Sequence, residues 1–283
     1  MPSLSESEAL KKRQQLVELG FCVFPGVLQG DLLTRWRAFT DGLFARKAVD
    51  PKYRYQGSDF HIGSERLKAN SDAWQHSPCT EHSPLVDEIV DLPAAREACR
   101  AIGLEHQHAD DITIILSKPP HAPPLYWHQD MMNWNHPESA SPWPTRIFLS
   151  YYMTDTTREN GCLRAIPGSH LKRIPLHDLL PAAHGPEIQA ITDYANHPAF
   201  MNHPDAVDLP VKAGDLVLND ARLLHSAYAN NTDERRTLVL QWHNVFKFPN
   251  PPSWWTGPIP AAIRNFDPTA KYEGTRLPGE HLK

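Results

Sequence analysis

The sequence predicts a mainly β fold with helical additions: a double-sheet jelly roll whose N-terminal helices pack on one sheet. Three observations carry this. From Ile112 onward, short strand-like segments separated by Pro and Gly turns dominate the chain. No long helical pattern alternates with them, which disfavours a parallel α/β sheet. Ahead of Ile112, apolar residues recur at helical spacing. At 283 residues the chain can bury one large core and reads as one domain, with a helical front end (1–110), a jelly-roll core (111–247) and a wrapping tail (248–283).

The elements follow in order. Ser3 to Gly20 opens with a helix: Ser3 with Glu6 fits a capping box, Leu10, Leu16 and Leu19 give an apolar face, and Gly20 is a stop. Phe21 to Phe24 is a short strand ended by Pro25-Gly26. A second helix runs from Asp31 to Lys47, with Leu32, Leu33, Trp36, Phe39, Leu43 and Phe44 at helical period. Asp50 to Ser77 has no clear period and reads either as a surface loop or as a lid or substrate wall. Ser83 to Leu104 returns to helix, interrupted near Pro93. The strands are then Ile112–Ser117, Thr145–Met153, Cys162–Ile166, Leu216–Leu218, Leu223–Tyr228 and Thr237–Val245. His170 to Val211 is a long polar insertion with several prolines, expected over one mouth of the barrel. The tail from Phe248 is rich in Pro and Trp and is expected to wrap the surface.

Composition narrows the partners. Net charge is −5 and no basic block stands out, so neither nucleic acid nor an anionic membrane is expected as a partner. The four cysteines (Cys22, Cys79, Cys99, Cys162) lie far apart without CxxC spacing, as reduced thiols of a cytoplasmic protein would. The polar N-terminus gives no signal peptide, and no apolar run is long enough to span a bilayer. A small-molecule substrate is the expected partner; oligomeric state leaves no signal.

The stretch Thr113 to Asp130 begins as a strand, breaks on prolines and ends in His128-Gln129-Asp130. Strand side chains alternate, so His-X-Asp puts both ligating groups on one face. With a histidine from another strand they would form the two-imidazole, one-carboxylate face used by non-haem Fe(II) oxygenases. The triplet alone is weak evidence: roughly two His-X-Asp/Glu matches are expected by chance, and the chain holds four, starting at His108, His128, His136 and His203. His108 precedes the first barrel strand, and the matches at His136 and His203 carry a central proline, which is poor strand material. Only His128 closes a strand-and-turn unit with several strands still to follow.

His225, in an apolar strand, is the best third ligand; the alternative is a core histidine satisfied by a backbone carbonyl. Leu223–Tyr228 and Arg236–Val245 read as a hairpin in which His225 pairs with Leu238 and Ala227 with Arg236, turning His225 and Arg236 to one side. A guanidinium pointing into an apolar barrel needs an anion. A dicarboxylate co-substrate supplies one: its far carboxylate pairs with Arg236 while its 2-oxo acid end chelates the metal. The alternative leaves Arg236 as a surface charge beside Arg235. Lys118 is either a second cation for that carboxylate or an exposed turn lysine. Gln129 should face away from the ligands on either side of it. For the substrate pocket the residues are Gln129, Met131, Met132, Asn133 and Trp134, which line it or pack beneath the Pro-rich loop, with Tyr53, Tyr55 and His61 closing over the site.

Ser117-Lys118-Pro119-Pro120, Trp127-His128-Gln129-Asp130, Asn160-Gly161-Cys162-Leu163 with Pro167-Gly168-Ser169-His170, and His225 followed by Arg236 together resemble the phytanoyl-CoA dioxygenase family, over about Phe21 to Val245. The resemblance implies a double-stranded β-helix, a cupin-like jelly roll, that uses Fe(II), 2-oxoglutarate and O2. It implies His128, Asp130 and His225 as iron ligands, Arg236 as the main 2-oxoglutarate anchor and Lys118 as its helper. The hydroxyl residue often found two places past the second histidine in the family is Ala227 here, with Ser226 one place earlier. Family halogenases lack the metal carboxylate; Asp130 is present, which favours hydroxylation of a small metabolite. The competing classes are a metal-binding jelly roll that is not an oxygenase, such as a zinc hydrolase or cupin-like isomerase, and a catalytically silent binding protein.

Overall fold

The structure, a computed structural model, describes residues 4–50, 54–63, 83–104, 107–131 and 134–272. Helix α1 (Glu6–Leu19) is capped by Ser5, whose hydroxyl and Glu8 form the reciprocal box. The same S-x-x-E spacing thus acts two residues later than the Ser3–Glu6 pair, and Ser3 lies outside the described residues. Gly20 ends the helix at φ 88°, a left-handed turn that favours glycine. β1 (Phe21–Phe24) and α2 (Gly30–Arg46) follow. Helices α3 (Pro84–Val90) and α4 (Pro93–Ala101) break at Pro93, where the ring can start a helix but not continue one.

Two further strands, β2 (Arg54–Tyr55) and β3 (Ser58–Ile62), fall in the stretch without clear period. The roll proper uses β4 (His108–Lys118), β5 (Leu125–His128), β6 (Arg146–Tyr152), β7 (Leu163–Ala165), β8 (Val207–Leu209), β9 (Leu216–Asp220), β10 (His225–Ala227) and β11 (Arg236–Asn244). Their order is β1-β9-β6-β11-β4-β3-β2 in a seven-stranded sheet and β5-β10-β7-β8 in a four-stranded one. The chain therefore crosses from sheet to sheet at nearly every step from β4 to β11, which is a double-stranded β-helix. β4 begins at His108, four residues ahead of the expected start, so the His108 triplet lies within a strand rather than before it.

Alternation divides the seven-stranded sheet. Ile115, Ile147, Leu149, Tyr151, Leu216, Leu218 and Val239 face outward and pack with Trp36, Leu43, Val86 and Ile89 of the helices in the largest apolar cluster. The tail joins that cluster through Phe248, Trp254 and Trp255. The intervening residues turn inward, toward the other sheet. The 170–211 insertion covers the outside of the four-stranded sheet: Leu176, Leu180, Ile188, Ala199 and Phe200 pack on Tyr126, Trp127 and Leu224. No helix among the described residues is long and apolar enough to cross a membrane.

Candidate metal centre

β5 and β10 are antiparallel neighbours, with His128 directly opposite His225. Their ring centroids lie 4.2 Å apart. Each ring is fixed in the same way: Nδ1 of His128 lies 2.9 Å from the Tyr126 carbonyl oxygen, and Nδ1 of His225 lies 2.9 Å from that of Leu223. A proton on each Nδ1 donates to its carbonyl and leaves the Nε2 lone pair facing the cleft, the arrangement of metal-ligating histidines. Asp130, just past β5, has Oδ1 3.9 Å from His128 Nε2, and its Oδ2 accepts the Trp242 indole N–H at 3.2 Å.

The backbone at Asp130 is held from across the roll. The Asp130 and Met131 N–H groups both donate to the Ala221 carbonyl, at 2.9 and 2.8 Å. Ala221 sits between Asp220 and Arg222, a fully buried ion pair at 2.6 Å. Arg222 also donates to the Ser139 and Ser141 carbonyls. Burial alone would push the Asp220 carboxyl up, but the Arg222 charge and hydrogen bonds hold it below its ordinary value.

The two sheets flank a cleft lined by His128, Asp130 and His225 at one side and by Arg236, Tyr152 and Ser150 at another. Its other walls are mostly apolar, among them Phe60, Leu116, Phe148, Leu240 and Trp242. Arg236 is 4% exposed, and its Nε has no hydrogen-bond partner among the described residues. Burial lowers its pKa, and the neighbouring Tyr152 hydroxyl opposes that. Among the described residues lining the cleft, Asp130 is the only carboxylate. Arg235, next to Arg236 in the chain, turns the other way, over the Phe44 ring.

The expected hairpin does not form. β10 belongs to the four-stranded sheet, and β11 pairs with β4 and β6 in the other. Leu238 lies opposite Leu116 and Tyr152, and Arg236 opposite Lys118. Residues 229–235 cross between the sheets, so His225 and Arg236 meet across the interior of the roll rather than side by side. Both still reach the cleft because each lies on the inward face of its own sheet.

The remaining expected residues divide. Tyr55 lines the cleft, and with Ser58 and Phe60 it makes the β2–β3 hairpin a wall of it. His61 does not: alternation turns it outward, against Phe44 of α2. Gln129 is buried away from the cleft and donates to the Arg222 carbonyl at 2.8 Å and to His177. Trp134 packs with Met131 and Ala221 in a separate small cluster. Lys118 stands beside Arg236, but its ammonium donates to the Pro123 and Gly57 carbonyls, and it is not among the lining residues. Those carbonyls take the place of the expected co-substrate carboxylate. Burial first, then the Arg236 charge, push the Lys118 pKa well down. Tyr53, Met132 and Asn133 lie outside the described residues. Ala227 lines the cleft, whereas the Ser226 hydroxyl accepts from Arg164 and so does not replace the missing hydroxyl there. Ser150 and Tyr152 put hydroxyls into the cleft instead.

Among the cleft residues not anticipated, two bear most on the site. Trp242 could have been found by counting in twos from Arg236 along β11. His184 could not, because it sits in the irregular insertion, where no period assigns a direction. Among the described residues, the tightest group of ligating atoms is His128, Asp130 and His184, all within 4.8 Å of one another. His225 falls outside that limit but lies ring to ring with His128.

The architecture is the jelly roll of 2-oxoglutarate-dependent oxygenases. The non-haem α-ketoglutarate-dependent epimerase SnoN of nogalamycin biosynthesis superposes with a TM-score of 0.59 over 98% of each chain, at 20% identity. HygX from Streptomyces hygroscopicus, solved with nickel, 2-oxoglutarate and hygromycin B, gives 0.60 over 94% of this chain and 97% of its own, at 17% identity. These likenesses concern the fold. The family itself is set by the sequence: the model for phytanoyl-CoA dioxygenase (PhyH) matches residues 16–238, and the chain belongs to that family. It is 28% identical over 156 residues to mouse (Mus musculus) phytanoyl-CoA dioxygenase domain-containing protein 1, covering 55% of this chain and 51% of that protein.

Proposed function

We propose that the protein is an Fe(II)- and 2-oxoglutarate-dependent dioxygenase that oxidises an unactivated C–H bond of a small-molecule metabolite, with release of succinate and CO2. One observation carries the reading. Two Nδ1-anchored imidazoles and a carboxylate face a largely apolar cleft that also holds a buried guanidinium with no carboxylate partner among the described residues. That donor set suits a divalent iron with open positions, and the guanidinium suits the far carboxylate of the co-substrate.

His128, His225 and Asp130 are the residues that would hold the metal. Bound iron supplies the activation of dioxygen, with 2-oxoglutarate as the co-reductant. Trp242 holds Asp130 Oδ2 and so aims Oδ1 toward His128. Arg236, steadied by the Tyr152 hydroxyl, receives the co-substrate's far carboxylate, and the walls of Leu116, Leu238 and Leu240 keep water from it. Phe148, 5.0 Å from the His225 ring, packs that ligand in place. Tyr55, Phe60 and Trp242 leave an aromatic surface for the substrate. With Asp130 present, hydroxylation is favoured over halogenation.

The test is succinate release by iron-loaded protein with 2-oxoglutarate and O2, screened across metabolite pools. The expected result is stimulation by a subset of fractions, lost in His128→Ala and absent when Zn(II) replaces Fe(II). Turnover that survives His128→Ala, or that zinc supports, contradicts the reading.

A further inference from the structure

The insertion delivers a third imidazole to the cleft. His184 packs edge-on against His128, with centroids 5.0 Å apart, and stacks on Tyr55 at 4.4 Å and 21°. Its Nδ1 lies 2.6 Å from the Tyr126 hydroxyl. Its backbone stands at φ 60°, a left-handed conformation that a non-glycine residue keeps only where the surroundings fix it. One ligating atom of its ring lies within 4.8 Å of those of His128 and Asp130.

We propose that His184 is a fourth protein ligand to the metal in the substrate-free protein. The inference rests on the metal-site reading above. All three imidazoles share one plan: Nδ1 lies beside an oxygen of the protein, and two of these oxygens belong to Tyr126. The strained backbone and the Tyr55 stack bring this ring to the site, although its segment otherwise packs on the outside of the four-stranded sheet. Three ligands from the roll and two from a chelating co-substrate would leave one of six octahedral positions. His184 would take it, and dioxygen would find no position until the substrate displaced the imidazole. The insertion is then a gate that ties oxygen activation to substrate arrival, and the β2–β3 hairpin carrying Tyr55 is its other half.

The test is Co(II) binding to metal-free protein, followed by calorimetry, with the imidazole count read by X-ray absorption. The expected wild-type count is three. His184→Gln should lower it to two and weaken Co(II) by about tenfold or more. Tyr126→Phe removes the oxygen that orients His184 but keeps the carbonyl that orients His128, and should shift the count the same way. Far-ultraviolet circular dichroism verifies that each variant is folded. A wild-type count of two, or unchanged affinity and count in His184→Gln, overturns the proposal. The underlying site is tested separately: Co(II) binding that survives both His128→Ala and Asp130→Ala means that the metal-site reading itself has failed.

Discussion

Arg236 shows how one residue separates the co-substrate from everything else in the cleft. It is buried on the inward face of β11 with its Nε unpartnered, and its neighbour Arg235 faces the opposite way. Removing a buried charge that pairs with a ligand costs binding of that ligand selectively. Arg236→Ala should raise the KM for 2-oxoglutarate on the order of 100-fold and leave that for the main substrate nearly unchanged. Equal effects on both would contradict the assigned role. At this scale the sequence was informative where a residue lay on a strand. His128, Asp130, His225 and Arg236 were legible because alternation gives each a direction, and Trp242 was legible in principle. His61 was misread because the stretch around it showed no period from which to tell inward from outward. For Lys118 the sequence leaves open a second cation for the co-substrate or an exposed turn lysine; it is buried, and the carbonyls of Pro123 and Gly57 that take its ammonium come from turns with no sequence signature.

The Asp220-Ala221-Arg222 turn holds the 128–131 stretch from outside the cleft. Its Ala221 carbonyl takes two backbone N–H groups at Asp130 and Met131, and its Arg222 carbonyl takes the Gln129 amide. Arg222→Met would leave the Asp220 carboxylate buried without its partner, at a cost of about 3–5 kcal/mol. Urea unfolding should show that loss, and an Asp220→Asn, Arg222→Met double variant should recover much of it. A single variant as stable as the parent would mean that the ion pair does not fix the turn. The strands flanking such turns were readable from their apolar runs and Pro-Gly boundaries. Their partners were not: an eight-residue connection after β10 suits a hairpin as well as a crossing. The crossing became clear only from the pairing of β11 with β4 and β6.

Over the whole molecule, the roll is stabilised on both outer faces, by helices and tail on one sheet and by the insertion on the other. The insertion carries its own pH dependence. Burial first lowers the His177 pKa from 6.5 to about 4. The Ile174 N–H donates to its Nδ1 at 3.0 Å and the Gln129 amide nitrogen lies 2.9 Å from its Nε2, so the folded protein keeps this ring neutral. Above pH 6.5 the ring is neutral in both states. Between 6.5 and about 4 the unfolded chain takes up a proton that the folded chain refuses, so stability falls with pH, by up to about 3 kcal/mol. Urea midpoints measured from pH 7 to 4.5 should fall less steeply in His177→Gln than in the parent; identical slopes would remove His177 from the account. The jelly roll itself was legible from strand density and the absence of alternating helices. The way the insertion reaches round to the cleft was not, because irregular chain has no period from which a direction can be read.

The most direct measurement is anaerobic addition of 2-oxoglutarate to protein loaded with Fe(II), followed in the visible spectrum. Chelation beside two imidazoles and a carboxylate predicts a weak charge-transfer band that saturates at one equivalent and is missing in His225→Ala. Iron that stays bound while no band develops, or a band that is unchanged without His225, would contradict the account.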